Sequence, residues 1–69
     1  MLSNDQEARV RFAYRVYSTG NTYGASAAVV KPALELSDKV VESCGKGRTI
    51  DSVLFTRTAT AILNDTENN

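Results

Sequence analysis

Lys31 to Thr49, reading KPALELSDKVVESCGKGRT, is the stretch that decides the fold. Proline fits the first turn of a helix, where its missing N–H costs nothing. Ala33, Leu36, Val40 and Cys44 then recur at helical spacing, with Leu34 and Val41 beside them, while Glu35, Asp38, Lys39 and Glu42 take the opposite face. Gly45 and Gly47 supply a stop. The spacing therefore predicts a half-buried helix opening at Pro32 and turning back through a short basic connection. Full burial of a Leu or Val side chain contributes about 1.5–3 kcal/mol. Two leucines and two valines make a useful stripe but not a whole core.

Downstream, Thr49 to Leu63 reads as a second helix, with Thr49 as N-cap and Asp51 in the first turn. Ile50, Val53, Leu54, Ala61 and Ile62 form one apolar face, widened by Phe55 and Leu63. Thr56, Thr58 and Thr60 alternate and set a strand pattern against it. Helix is the expectation, giving an antiparallel helical hairpin over residues 32–63. The polar tail, residues 64–69, is expected to lie outside it.

Upstream, Ser3 to Tyr17 carries two conflicting signals. Asn4 as a cap, acids at positions 5 and 7, and Gly20 as a stop favour a helix. Val10, Phe12, Tyr14 and Val16 alternate with Arg9, Arg11 and Arg15, which favours a strand. On a helix, Arg9 falls inside the apolar arc. Residues 8–17 are thus helix or strand, with the end signals tipping the reading to helix. Ser18 to Asn21 is turn chemistry. Thr22 to Val30, rich in small residues, either begins a helix that bends at Pro32 or runs extended into it.

The expectation is one small, mainly α domain over residues 1–69, made of an N-terminal segment (1–24), the hairpin and the tail. At this length a single core is marginal and is commonly completed by a disulfide, a metal or a partner. Cys44 is the lone cysteine and histidine is absent, so neither an internal disulfide nor the usual zinc ligand sets are available. Self-association or docking onto a larger assembly is left. Eight basic residues balance eight acidic ones, which argues mildly against a general phosphate-binding surface. No apolar leader opens the sequence and no apolar run is long enough to span a bilayer. A cytoplasmic setting, in a cell or a virion, is the simplest expectation.

Three groups of residues could carry chemistry. Lys46, Gly47, Arg48 and Thr49 combine free backbone, two cations and a following helix N-terminus, a recipe for phosphate or another anion. The spacing of a nucleotide-hydrolysing P-loop is absent, and a glycine cap with a solvated turn explains the same residues. Arg9, Arg11 and Arg15, interleaved with Phe12, Tyr14 and Tyr17, could contact nucleic acid by phosphate pairing and base stacking. An amphipathic element with core aromatics and solubilising arginines explains the same residues, and the neutral overall charge favours that reading. Leu36, Val40, Cys44 and Leu54 form an apolar interaction face. No catalytic set, cofactor site or metal site is expected, because Cys44 lies on the apolar stripe without a second reactive group.

Gly47-Arg48-Thr49-Ile50-Asp51-Ser52-Val53-Leu54-Phe55-Thr56-Arg57 resembles the turn and second helix of ribbon–helix–helix repressors. The proline-led helix, and the β-capable Ser26 to Lys31 before it, follow the same order, so the resemblance spans about residues 26–63. It implies a dimer whose paired strands read bases in the DNA major groove. At the reading positions Ser26, Ala28 and Val30 offer one hydroxyl and no bidentate contacts. The leading functional expectation is therefore a non-enzymatic interaction protein, a homo-oligomer or a small structural subunit. A DNA-binding regulator of the ribbon–helix–helix type is the alternative.

Overall fold

The computed structural model describes residues 2–22 and 24–68. Among the described residues three helices form, α1 (Asn4–Thr19), α2 (Ala27–Cys44) and α3 (Ser52–Asn68), and each packs against both others. Among the described residues there is no strand. The radius of gyration is 11.4 Å, near the ~11 Å expected for a compact chain of this length.

The ambiguous first segment is helical because its ends and its buried face agree. Ser3, one residue before the expected cap, makes a capping box with Gln6: the Gln6 amide donates to Ser3 Oγ at 3.3 Å, and the Ser3 amide donates to Gln6 Oε1 at 3.2 Å. Gly20 closes the helix at a φ of 69°, donating its amide to the Val16 carbonyl at 2.7 Å. Val10, Ala13 and Val16 are buried. A strand would have put Ala13 on the arginine side, yet it is fully buried. The helical period wins.

The second helix corrects the expected start. It begins at Ala27, so Pro32 lies inside it and the stretch expected to be β-capable, Ser26 to Lys31, is helical from Ala27 onward. The amides of Val29 and Val30 both donate to the Ser26 carbonyl at 3.0 Å, which establishes the first turn upstream of the proline. An interior proline removes one helical hydrogen bond, here the one that would reach the Ala28 carbonyl. Of the two alternatives for Thr22 to Val30, the helical one holds from Ala27 onward, with a turn at Gly24 before it; Tyr23 lies outside the described residues.

The third helix also starts later than expected. Asp51, not Thr49, is the cap: its carboxylate accepts from the Leu54 amide at 2.8 Å and its carbonyl from the Phe55 amide at 2.9 Å. The helix continues past Leu63 to Asn68, so most of the expected tail is helical, and Asn69 lies outside the described residues.

The core joins Val10, Ala13, Ala33, Leu36, Val40, Ile50, Phe55, Ala59 and Leu63. Each helix contributes one fully buried alanine, Ala13, Ala33 and Ala59, which lets the backbones approach closely. Among the described residues Phe55 is the largest fully buried side chain. Tyr14 meets its ring edge-on at a centroid distance of 5.4 Å, and Tyr17 meets it tilted at 5.5 Å. Burying so large a ring turns α3 away from the expected face. Phe55, Ala59 and Leu63 point inward one turn apart, whereas Val53 is 64% exposed and Ala61 is exposed.

Removing a buried aromatic ring costs about 3–5 kcal/mol, against about 3–10 kcal/mol of total stability for a chain of this size. Phe55→Ala is therefore expected to lose its cooperative thermal transition by circular dichroism. Phe55→Leu should keep a cooperative transition at a lower midpoint. An unchanged midpoint in Phe55→Ala would contradict the placement of this ring.

Candidate functional site

The interaction face proposed on Leu36, Val40, Cys44 and Leu54 is largely turned inward. Leu36 is 1% exposed and Val40 0%, because α1 and α3 of the same chain cover the stripe. Cys44 and Leu54 are half-buried and pack against the core. The Cys44 thiol lies 3.4 Å from the Thr58 hydroxyl, tying the end of α2 to α3. These four residues hold the fold together; as a docking face they are corrected.

The anion recipe at Lys46, Gly47, Arg48 and Thr49 also comes apart. Gly45 to Arg48 forms a tight turn, with the Arg48 amide donating to the Gly45 carbonyl at 3.3 Å. Gly47 occupies its third position with a φ of 85°, the positive value that makes glycine the fitting residue there. Gly45 donates its own amide to the Val41 carbonyl. The Gly45 and Arg48 amides are thereby committed within the chain. The helix N-terminus that should follow Thr49 begins three residues later and already holds the Asp51 carboxylate. A negative group is present there, supplied by the protein itself. The turn is a connection bearing two exposed cations.

The three arginines diverge. Arg9, the residue that spoiled the apolar arc, reaches across to α2, where its Nε and Nη2 donate to the Pro32 carbonyl at 3.3 and 3.1 Å. Its breach of the pattern is a bridge between two helices. Arg15 is exposed on the wall of the same region, and Arg11 projects elsewhere, beside Leu2, Glu7, Val10, Thr56 and Thr60. A helix places positions 9 and 11 on nearly opposite sides, so no common nucleic-acid face forms from all three.

The structure instead brings together a groove that the sequence pattern did not reveal. It runs between α1 and the first turns of α2 and has a volume of about 750 Å³. Ala8 and Phe12 from α1 and Ala28, Val29 and Pro32 from α2 give it an apolar lining. Asp5, Arg9 and Arg15 place charges around them. Val29 is 50% exposed, a large aliphatic side chain left open at this site. The signal was hidden because α2 had to begin before the proline for its residues to face α1. An early helix start is one of the two alternatives that the small residues of Thr22 to Val30 leave open.

Among the described residues no group of three or more His, Cys, Asp or Glu is placed to hold a metal ion. No helix among them is long and apolar enough to cross a membrane. No protein-family model matches this chain, and neither a curated protein nor a solved structure is significantly similar to it.

Two substitutions separate structural charge from solvated charge. Arg9→Ala is expected to lower unfolding free energy by about 1–2 kcal/mol through loss of its charged hydrogen bonds to Pro32. Asp51→Ala should cost about 1 kcal/mol through loss of the cap. Lys46→Ala and Arg48→Ala should each stay within about 0.5 kcal/mol of the parent. Urea titrations of the four variants check this, and equal effects across them would contradict it.

Proposed function

We propose that this chain is a non-enzymatic interaction protein that acts by self-association or as a small subunit of a larger assembly. The observation that carries the reading is the groove between α1 and α2. An apolar lining rimmed by charges is the ordinary composition of a protein–protein contact surface. Phe12 and Val29 supply apolar area there, and Asp5 and Arg15 supply orientation.

Two further features support it. Among the described residues, three of the fully buried side chains are alanines, each of which removes less apolar area from water than a larger side chain would. Val29, Leu34 and Val53 are each at least 44% exposed, apolar surface that a partner would remove from water.

The nucleic-acid alternative rests on different residues. It needs the exposed cations Arg11, Arg15, Lys46 and Arg48 to meet phosphates, with binding that weakens steeply as salt rises.

The deciding measurement is mass in solution by light scattering or sedimentation, across a concentration series, with and without duplex DNA at low salt. The expected result is a mass that rises above the 7.5 kDa of one chain as concentration increases, independent of DNA. A chain that stays at 7.5 kDa throughout and binds no DNA would defeat self-association and the regulator together. A salt-sensitive DNA complex with no association of the protein alone would favour the regulator.

A further inference from the structure

We propose that the occupant of the groove is a second copy of this chain, docked with its α1 antiparallel to the first about a two-fold axis level with Val10. The inference rests on the self-association arm of the reading above and specifies its geometry.

It starts from four residues of α1 that line the groove, Asp5, Ala8, Phe12 and Arg15. Their spacing is three, four and three, so they form one stripe along the helix, repeating every seven residues as in helices that pair side by side. Asp5, Ala8 and Arg15 are exposed and Phe12 is half-buried. The stripe is acidic at one end, basic at the other and apolar between.

Such a stripe is complementary to itself when reversed. A two-fold interface requires that whatever residue i meets on the partner, the partner's copy of i meets in return. Positions 5 and 15 have their midpoint at residue 10, and so do positions 8 and 12. One axis therefore satisfies both pairings: Asp5 faces Arg15 of the second copy, and Phe12 faces the second copy's Ala8. Asp5 and Arg15 lie about 7.5 Å to either side of that midpoint along the helix, at 1.5 Å per residue. Each large ring meets a small methyl, and each acid meets a base. Parallel docking would set Asp5 on Asp5 and Arg15 on Arg15, so the charges also select the antiparallel direction. Val29, standing 50% exposed on the α2 wall, would flank the incoming helix. A stripe of four residues makes a small interface, so the dimer is expected to be weak and to assemble towards millimolar protein.

Charge exchange tests this register. Asp5→Arg leaves two bases on each stripe and Arg15→Asp leaves two acids, so each variant alone should dimerise at least about tenfold more weakly than the parent. An equimolar mixture of the two should recover the parent's dimer, because every Arg then faces an Asp. The double variant D5R/R15D should recover it on its own. Asp5→Arg opposes the helix dipole in the first turn of α1, so a loss of dimer in that variant could reflect a weakened helix, whereas recovery in the mixture or the double variant could not. Circular dichroism of each variant accompanies the mass measurement. If the parent dimerises while the single reversals leave its mass unchanged, or if mixing restores nothing, this interface is overturned and self-association through another surface stands. A parent that stays monomeric to millimolar concentration overturns the interface and self-association alike.

Discussion

Burial of the Phe55 ring beneath Tyr14 and Tyr17 is the constraint on which the rest of the arrangement depends. An aromatic side chain removes more apolar surface from water than any other residue in this core. Its position therefore fixes the rotation of α3 about its own axis. With Phe55 inward, Ala59 and Leu63 follow at one-turn intervals, and Val53 is carried out to solvent. The two tyrosines belong to α1, so the same contact sets which face of α1 is interior and which is left for the groove.

Close approach of the backbones makes that contact sufficient. Ala13, Ala33 and Ala59 leave no side-chain bulk between the helices, and Leu36 and Val40 fill the space that remains. Polar ties then fix the remaining degrees of freedom. Arg9 holds α1 to the first turns of α2 through the Pro32 carbonyl, and Cys44 meets Thr58 between α2 and α3. Charge is spent on caps and bridges here: Asp51 closes the start of α3, and Arg9 satisfies a backbone acceptor on α2. The outer stripe of α1 is what these ties leave over.

Much of the helical content could be read directly. The glycine stops at Gly20 and Gly45 and the apolar stripe Ala33, Leu36 and Val40 stand where the pattern put them, because cap geometry and helical period are local properties. The first turn is the cheapest position for proline, yet α2 begins at Ala27 and tolerates the one backbone hydrogen bond that Pro32 removes. Thr49 precedes the apolar run and so reads as the cap, whereas the carboxylate of Asp51 forms the bond. Arg9 counted against a helix until α2 supplied an acceptor for it.

The sequence by itself determined that the chain is helical, where two of its helices stop, and that it carries neither a histidine nor a pair of cysteines. Those are matters of composition and of neighbours within a turn or so. Only the tertiary structure decided which apolar face is interior, that Leu36 and Val40 are covered by the chain's own helices, and that Asp5, Ala8, Phe12 and Arg15 border an open groove. These depend on side chains brought together from distant positions. A one-dimensional pattern records that a face is apolar but not which surface will cover it.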